Sequence, residues 1–449
     1  MVTALRPKSG PVRSYRFPEF YDEKLPSGLR LITAPVSKLP VVTVLVVADA
    51  GAAADPAGKE GTAALVAASL VEGTKRFDGV ELSERFEQLG TSLESAADWD
   101  SAFLKITVLA DKVDAATRLV GEVLSTPTFP DREVERLKSE RLAAILQLET
   151  EPRGLADEKF SEFVFSPESR YSQPEEGSAQ SVEAVRREDI ESFYRANYVA
   201  SGTTVIIAGD VTHEKARDLV GGAFSGLRSD TLKRPALSTR PRSDTRRLHI
   251  VSKVDAPQSE LRIGHVGLPR LHPDFFPTLV MNAVLGGLFG SRINLNLREV
   301  HGYTYGASSY FDWRRQAGPF AVSTAVASDV SAAALREILS EVDRIRAERV
   351  TDSELSLARD YLEGIFPIRY ETTSAIASAL ASLVIYDLPS NYYDAYRRNI
   401  HAVSAEAVLA AARTHIHPER LQTVVVGDAA SISASLSQLD LGAVEIHNG

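Results

Sequence analysis

Gly61-Thr62-Ala63-Ala64-Leu65-Val66-Ala67-Ala68-Ser69-Leu70-Val71-Glu72-Gly73-Thr74 is a run of small and apolar residues with no polar face. A helix that is apolar all round must be covered all round, so the run predicts a tightly packed helix lying against a sheet. Its flanks agree. An alternating apolar strand pattern over 41–50 ends in Ala48-Asp49-Ala50-Gly51, Gly61 opens the helix, and Glu72-Gly73-Thr74 closes it.

Working outward, the strand-then-helix pattern returns after roughly 220 residues, the mark of an internal repeat. A strand over 261–268 is followed by an apolar helix pattern over 274–288, matching 41–50 and 60–72. The two halves also end alike. An amphipathic helix over 187–198 leads to the strand Thr203-Thr204-Val205-Ile206-Ile207-Ala208-Gly209-Asp210 and a helix to Phe224. A helix over 404–415 leads to Leu421-Gln422-Thr423-Val424-Val425-Val426-Gly427-Asp428.

Between these ends lie strand patterns over 91–97, 102–109, 305–311 and 320–324, and long amphipathic helices over 131–148 and 332–349. Thr351-Asp352-Ser353-Glu354 is a capping box. Strands in hairpin-like pairs with helices grouped behind them predict an α+β fold of two similar lobes, each a largely antiparallel sheet packed with helices. We place the lobes at 1–225 and 249–449, joined by a Pro-, Ser- and Arg-rich linker over 226–248.

At 449 residues with 44% apolar and 24% charged side chains, the chain has the composition of a globular protein with more than one core. Its net charge of -10 argues against a nucleic-acid surface, and the basic cluster from Lys233 to Arg247, with Pro235 and Pro241, reads as linker. The absence of cysteine removes disulfides, thiolate metal sites and a cysteine nucleophile. Residues 1–30 are polar and lack the apolar run of a signal peptide, and no segment has the length of a membrane span. The expected compartment is the cytoplasm, with the periplasm left open.

All nine histidines lie beyond residue 212, so the first half cannot build a histidine metal site. His415-Ile416-His417 is the one closely spaced pair; residues two apart on an extended segment share a face and could hold a metal, but the pair reads as surface packing at a helix end. His265 falls in a strand and His301 in a turn, neither with a partner nearby in sequence. Gly286-Gly287-Leu288-Phe289-Gly290-Ser291 lacks the lysine of a phosphate loop and reads as a bend between helices. No Gly-x-Ser-x-Gly elbow occurs.

One further segment stands out: Leu297-Arg298-Glu299-Val300-His301-Gly302-Tyr303-Thr304-Tyr305-Gly306-Ala307-Ser308-Ser309, following Gly290-Ser291-Arg292-Ile293. Read alone, Arg298 pairs with Glu299 or another acid, and Tyr303 and Tyr305 pack on a sheet. The segment, with the frame around Gly61–Thr74 and the repeat, resembles the pitrilysin/insulinase family of zinc peptidases, from Leu25-Pro26-Ser27-Gly28-Leu29-Arg30 to Asp428. There an arginine at a helix end and a tyrosine seven residues later, just past a glycine, reach across to the zinc-bearing half. Arg298 and Tyr305 match both types and the spacing.

The departure is at the metal. The family's His-x-x-Glu-His helix holds two zinc ligands and a general base, and the frame here reads Ala64, Ala67 and Ala68. The third ligand, a glutamate in a helix ending before a proline, falls at or near Ala144 when counted back from Pro152. Such a pattern resembles the non-catalytic member of a two-chain peptidase. What the resemblance implies is a metal-free subunit, inactive alone, that supplies Arg298 and Tyr305 to the site of a homologous zinc-bearing partner in a heterodimer acting on peptides. No cofactor is expected in this chain, and zinc is expected in the partner. The alternative is a structural or chaperone-like peptide-binding homologue without a peptidase role.

Overall fold

Val41-Val42-Thr43-Val44-Leu45-Val46-Val47-Ala48 has almost no polar residue on either face, so as a strand it must be covered on both sides. The computed structural model, which describes residues 15–448 except Pro235, shows how. Residues 1–14, Pro235 and Gly449, which the lobe bounds, the linker and the polar N-terminal segment take in, lie outside the described residues.

The first sheet is built from β1 (Tyr21–Lys24), β2 (Arg30–Pro35), β3 (Val41–Ala48), β4 (Glu94–Ala97), β5 (Ala102–Leu109) and β6 (Thr203–Gly209), in the order β1-β2-β6-β3-β5-β4. The second comprises β7 (Arg247–Ser252), β8 (Gln258–Val266), β9 (Ala307–Phe311), β10 (Pro319–Ala327), β11 (Gln422–Gly427) and β12 (Ala443–Asn448), in the order β12-β7-β11-β8-β10-β9. Position by position, β2-β6-β3-β5-β4 corresponds to β7-β11-β8-β10-β9. In each sheet the strand that closes its half lies parallel to one neighbour and antiparallel to the other. The remaining outer place is taken by the early strand β1 in one sheet and the last strand β12 in the other. The fold is therefore α+β with two similar sheets, as the repeat predicts.

Strand alternation divides each buried strand between two cores. On β3 and β6, Val42, Val44, Val46, Val205 and Ile207 face the first half's own helices. Leu45, Val47, Ile206 and Ala208 face the other way, into a core shared with the helix Thr373–Ile385 of the second half. Thr43, on that same face, lies 2.9 Å from Thr373 between hydroxyl oxygens. The second sheet reciprocates, since Val424 and Val426 pack on Phe160 and Phe163 of the helix Pro152–Val164 from the first half. The buried Arg262 of β8 binds Asp157 of that helix at 2.5 Å and Glu260 at 2.9 Å. Each half thus covers the other's second sheet face with one helix.

Candidate functional site

The helix Phe275–Asn282 runs directly into a π-helical turn, Ala283–Gly287, and residues 288–291 make the expected bend before the next helical turn at Arg292. The glycine there serves close approach: a Cβ on Gly286 would sit 2.5 Å from the backbone nitrogen of Ser309 on β9. Asn282 and Ser309 complete the contact, with Ser309 Oγ donating to Asn282 Oδ1 at 2.8 Å and Asn282 Nδ2 to Ser309 O at 3.0 Å.

A short helical turn, Arg292–Asn294, continues as a second π-helical segment, Leu295–Val300, that carries Arg298. Two contacts fix it. Arg292 grips Glu354 through two hydrogen bonds of 2.6 and 3.0 Å, and Glu354 is also the N3 residue of the capping box at Thr351. The Asn294 side chain accepts from Ala307 N, the first residue of β9, at 3.0 Å and donates to Phe289 O at 2.7 Å. Gly302, at φ 66°, ends the helical segment, and Tyr303 N–H closes back onto Leu297 O at 2.8 Å.

Tyr305 lies two residues before β9, so the strand starts later than the expected 305. The backbone beside it is pinned, with Gly306 N–H on Thr304 Oγ1 at 3.1 Å and Thr324 Oγ1 3.0 Å from Gly306 O. The side chain itself is 94% exposed, with no hydrogen bond or ring contact among the described residues. It borders a shallow pocket of about 250 Å³ with Arg153, Glu260, Ser308 and Ser323. Arg298 is not a wall of that pocket. Its guanidinium stands 4.6 Å above the Phe289 ring, and Nε is 3.4 Å from Glu299 Oε1. Arg298 and Tyr305 therefore hang from one anchored turn without touching each other, and Arg153, which shares the Tyr305 pocket from the first half, carries no sequence signal that would single it out.

In the first half, the apolar run forms the helix Thr62–Ser69, shorter than the pattern over 60–72. Asp55 caps it from below, accepting from Gly61 N at 2.8 Å and Ala63 N at 2.7 Å while paired to Arg170 at 2.9 Å. Ser95 on the edge strand β4 donates to Ala67 O at 2.5 Å. Ala64 and Ala68 are half-buried on one face, Ala67 is buried, and Ala144 is exposed on the helix Asp131–Thr150. Four methyl groups offer no lone pair, so these positions do not fit a metal ion.

Sequence neighbours predict no ligand set in this chain, yet the fold gathers two histidine–carboxylate groups in the second half: His249 with Glu445 and His447, and His272 with Asp274 and His415. Each joins a two-apart pair, Glu445/His447 or His272/Asp274, to a histidine 141 or more residues away, which is why spacing does not reveal them. The pair at 415–417 splits. His415 Nε2 binds Asp274 at 2.7 Å, and His417 N–H donates to His265 Nε2 at 3.0 Å. Burial pushes the imidazoles of His249 and His265 down to about 4, so both stay neutral near pH 7.

A family model described as Insulinase (Peptidase family M16) matches residues 32–170, and one described as Peptidase M16 inactive domain matches residues 184–362. A probable mitochondrial-processing peptidase subunit beta of Arabidopsis thaliana is 25% identical over 423 residues, covering 91% of this chain and 78% of its own length. The non-peptidase homolog YmxG of Helicobacter pylori is 24% identical over 373 residues, covering 82% and 84%. The crystal structure of a peptidase M16 inactive domain from Pseudomonas fluorescens superposes with a TM-score of 0.85 at 24% identity, covering 91% of this chain and 98% of that one. Among the described residues no helix is long and apolar enough to cross a membrane.

Proposed function

The chain belongs to the insulinase family of peptidases, and on that premise we propose that it is a metal-free subunit that completes the peptidase site of a homologous zinc-bearing chain. The observation that carries this reading is Tyr305. Its phenol is 94% exposed, its hydroxyl has no partner among the described residues, and the backbone at Gly306 beside it is hydrogen-bonded through both N–H and C=O, so the hydroxyl stands on a fixed base, free to meet a substrate or a partner. Phe289, Leu295 and Val300 are exposed on the segment around Arg298, and the stacked Phe289–Arg298 pair has the residue types enriched at interfaces.

In this reading the partner supplies the metal and the base. Arg298 offers fixed, permanently charged donors to a substrate carbonyl or carboxylate, and Tyr305 offers one hydroxyl to the oxyanion of the tetrahedral intermediate. Short or unfolded peptides are the substrates, added as a strand to a sheet edge. The edge strands β4 and β9 are the ones next to the alanine helix and to Tyr305.

The relative named as a non-peptidase homolog supports a second reading, a structural or chaperone-like peptide-binding homologue, in which Arg298 and Tyr305 have no catalytic task. Light scattering on this chain mixed with a zinc-bearing homologue from the same source separates the two. A 1:1 complex that gains peptidase activity over either chain alone supports the shared site. A partner fully active by itself and unchanged on mixing supports the second reading.

A further inference from the structure

β12 pairs in parallel with β7, placing Glu445 opposite His249 and His447 opposite Val251. Side chains two apart on a strand share a face, so Glu445 and His447 both stand on the side of the sheet that His249 occupies. His249 Nδ1 and His447 Nε2 are 3.2 Å apart, and Glu445 Oε2 is 3.5 Å from the first and 3.8 Å from the second. The point equidistant from three atoms so spaced lies about 2.0 Å from each, the length of a Zn–N or Zn–O bond.

The surrounding contacts aim the lone pairs at that point. Gln422 Nε2 donates to Thr245 O at 3.1 Å and Arg420 O at 3.0 Å, which turns Gln422 Oε1 toward His249 Nε2 at 3.4 Å. His249 therefore carries its proton on Nε2 and presents a bare Nδ1 to the cluster, the outer-contact pattern of a metal-bound imidazole. Phe163 stacks on the His249 ring at 3.9 Å between centroids and 6° between planes, fixing its orientation. Arg247 holds Glu445 Oε1 at 2.5 Å and leaves Oε2 to face the rings. A proton shared by the two imidazoles would satisfy that pair alone, because Glu445 Oε2 lies beyond hydrogen-bond range of both.

We propose that His249, Glu445 and His447 form a site for a divalent ion of the Zn²⁺ class, which clips β12 to β7 at the outer edge of the second sheet. The two imidazoles and one carboxylate supply three ligands of the types zinc prefers. The half-exposed His447 and Glu445 leave an entry path and a fourth position for water. Phe163 comes from the first half, so the ion also braces the contact between the halves. With this ion the chain is metal-free only at the alanine positions, which revises the expectation of a chain without any metal and leaves the peptidase reading unchanged.

The test is calorimetric titration of the full chain, stripped with a chelator, with Zn²⁺ alone. One ion per chain is expected, with a melting temperature that rises on loading. His447→Ala and Glu445→Gln, both on the edge strand, should fold as the wild type in chelator and weaken binding by more than about tenfold, the least that loss of even an outer contact gives. His272→Ala, in the other histidine group, should bind as the wild type. No stoichiometric uptake by the wild type, equal affinity in His447→Ala, or loss in His272→Ala instead would overturn the assignment.

Discussion

Asn294 Oδ1 accepts the backbone N–H of Ala307 at 3.0 Å, and this single bond ties the helical segment that carries Arg298 to the strand that Tyr305 precedes. Both partners are buried. The separation of the Arg298 and Tyr305 side chains is therefore set by this amide together with the closure of Tyr303 N–H on Leu297 O, not by their own contacts.

Asn294→Ala should leave a buried N–H unpaired and lower stability by about 1–3 kcal/mol. Chemical denaturation measures this. The same variant should lose more peptidase activity in the assembled pair than Ser309→Ala, which lacks only a hydroxyl on the strand. Equal losses would show that Asn294 does not set the pair's geometry.

Arg292 and Glu354 support the same segment. Burial raises the Glu354 carboxyl, but the Arg292 fork and the Thr351 N–H outweigh it and hold the group at about 2. A depressed acid contributes stability that is complete above its ordinary value near 4.3 and is lost as pH falls toward 2. Glu354→Gln should cost about 1–3 kcal/mol at neutral pH, less than stripping a wholly buried pair because the side chain is 26% exposed. It should also flatten the acid limb of the stability curve, read by urea midpoints from pH 5 to about 2.

His265 predicts the opposite kind of group. Its Nδ1 is 2.8 Å from Val266 O and its Nε2 accepts from His417 N–H, so protonation would break a bond in a buried site. Burial, with smaller contributions from His417 and Arg420, outweighs the Val266 carbonyl and Glu419 and lowers its folded value to about 4. The unfolded chain takes up this proton first, so stability is full above about 6.5 and falls by up to about 1.4 kcal/mol for each pH unit down to 4. His265→Gln should reduce that slope. An unchanged slope would place the acid sensitivity elsewhere.

Much of this is legible in the sequence, because the signals are local. The repeat, the capping box at Thr351, and the strands at 41–50 and 203–210 follow from alternation and capping chemistry. The exchange of covering helices does not, because no sequence pattern singles out Pro152–Val164 as a helix or shows which sheet it covers. The π-helical turns at Ala283–Gly287 and Leu295–Val300 are set by the approach of Gly286 to Ser309 and by Asn294, contacts that no period reveals. Arg298 and Tyr305 are singled out by motif alone, and their exposure and contacts are not legible in it. His249 and His447 are 198 residues apart and meet only through the pairing of β12 with β7.

The most direct measurement is steady-state kinetics of the mixed pair on a quenched peptide, comparing wild type, Tyr305→Phe and Arg298→Ala. Tyr305→Phe keeps the ring and removes one donor, so kcat should fall on the order of 10²-fold to 10³-fold, about 2.7–4 kcal/mol, with the 1:1 complex and the partner's zinc intact. Arg298→Ala should also raise KM, since its charge acts on the bound substrate before reaction. Wild-type kcat/KM in Tyr305→Phe would contradict the account, for then the exposed phenol is not at the reacting carbonyl.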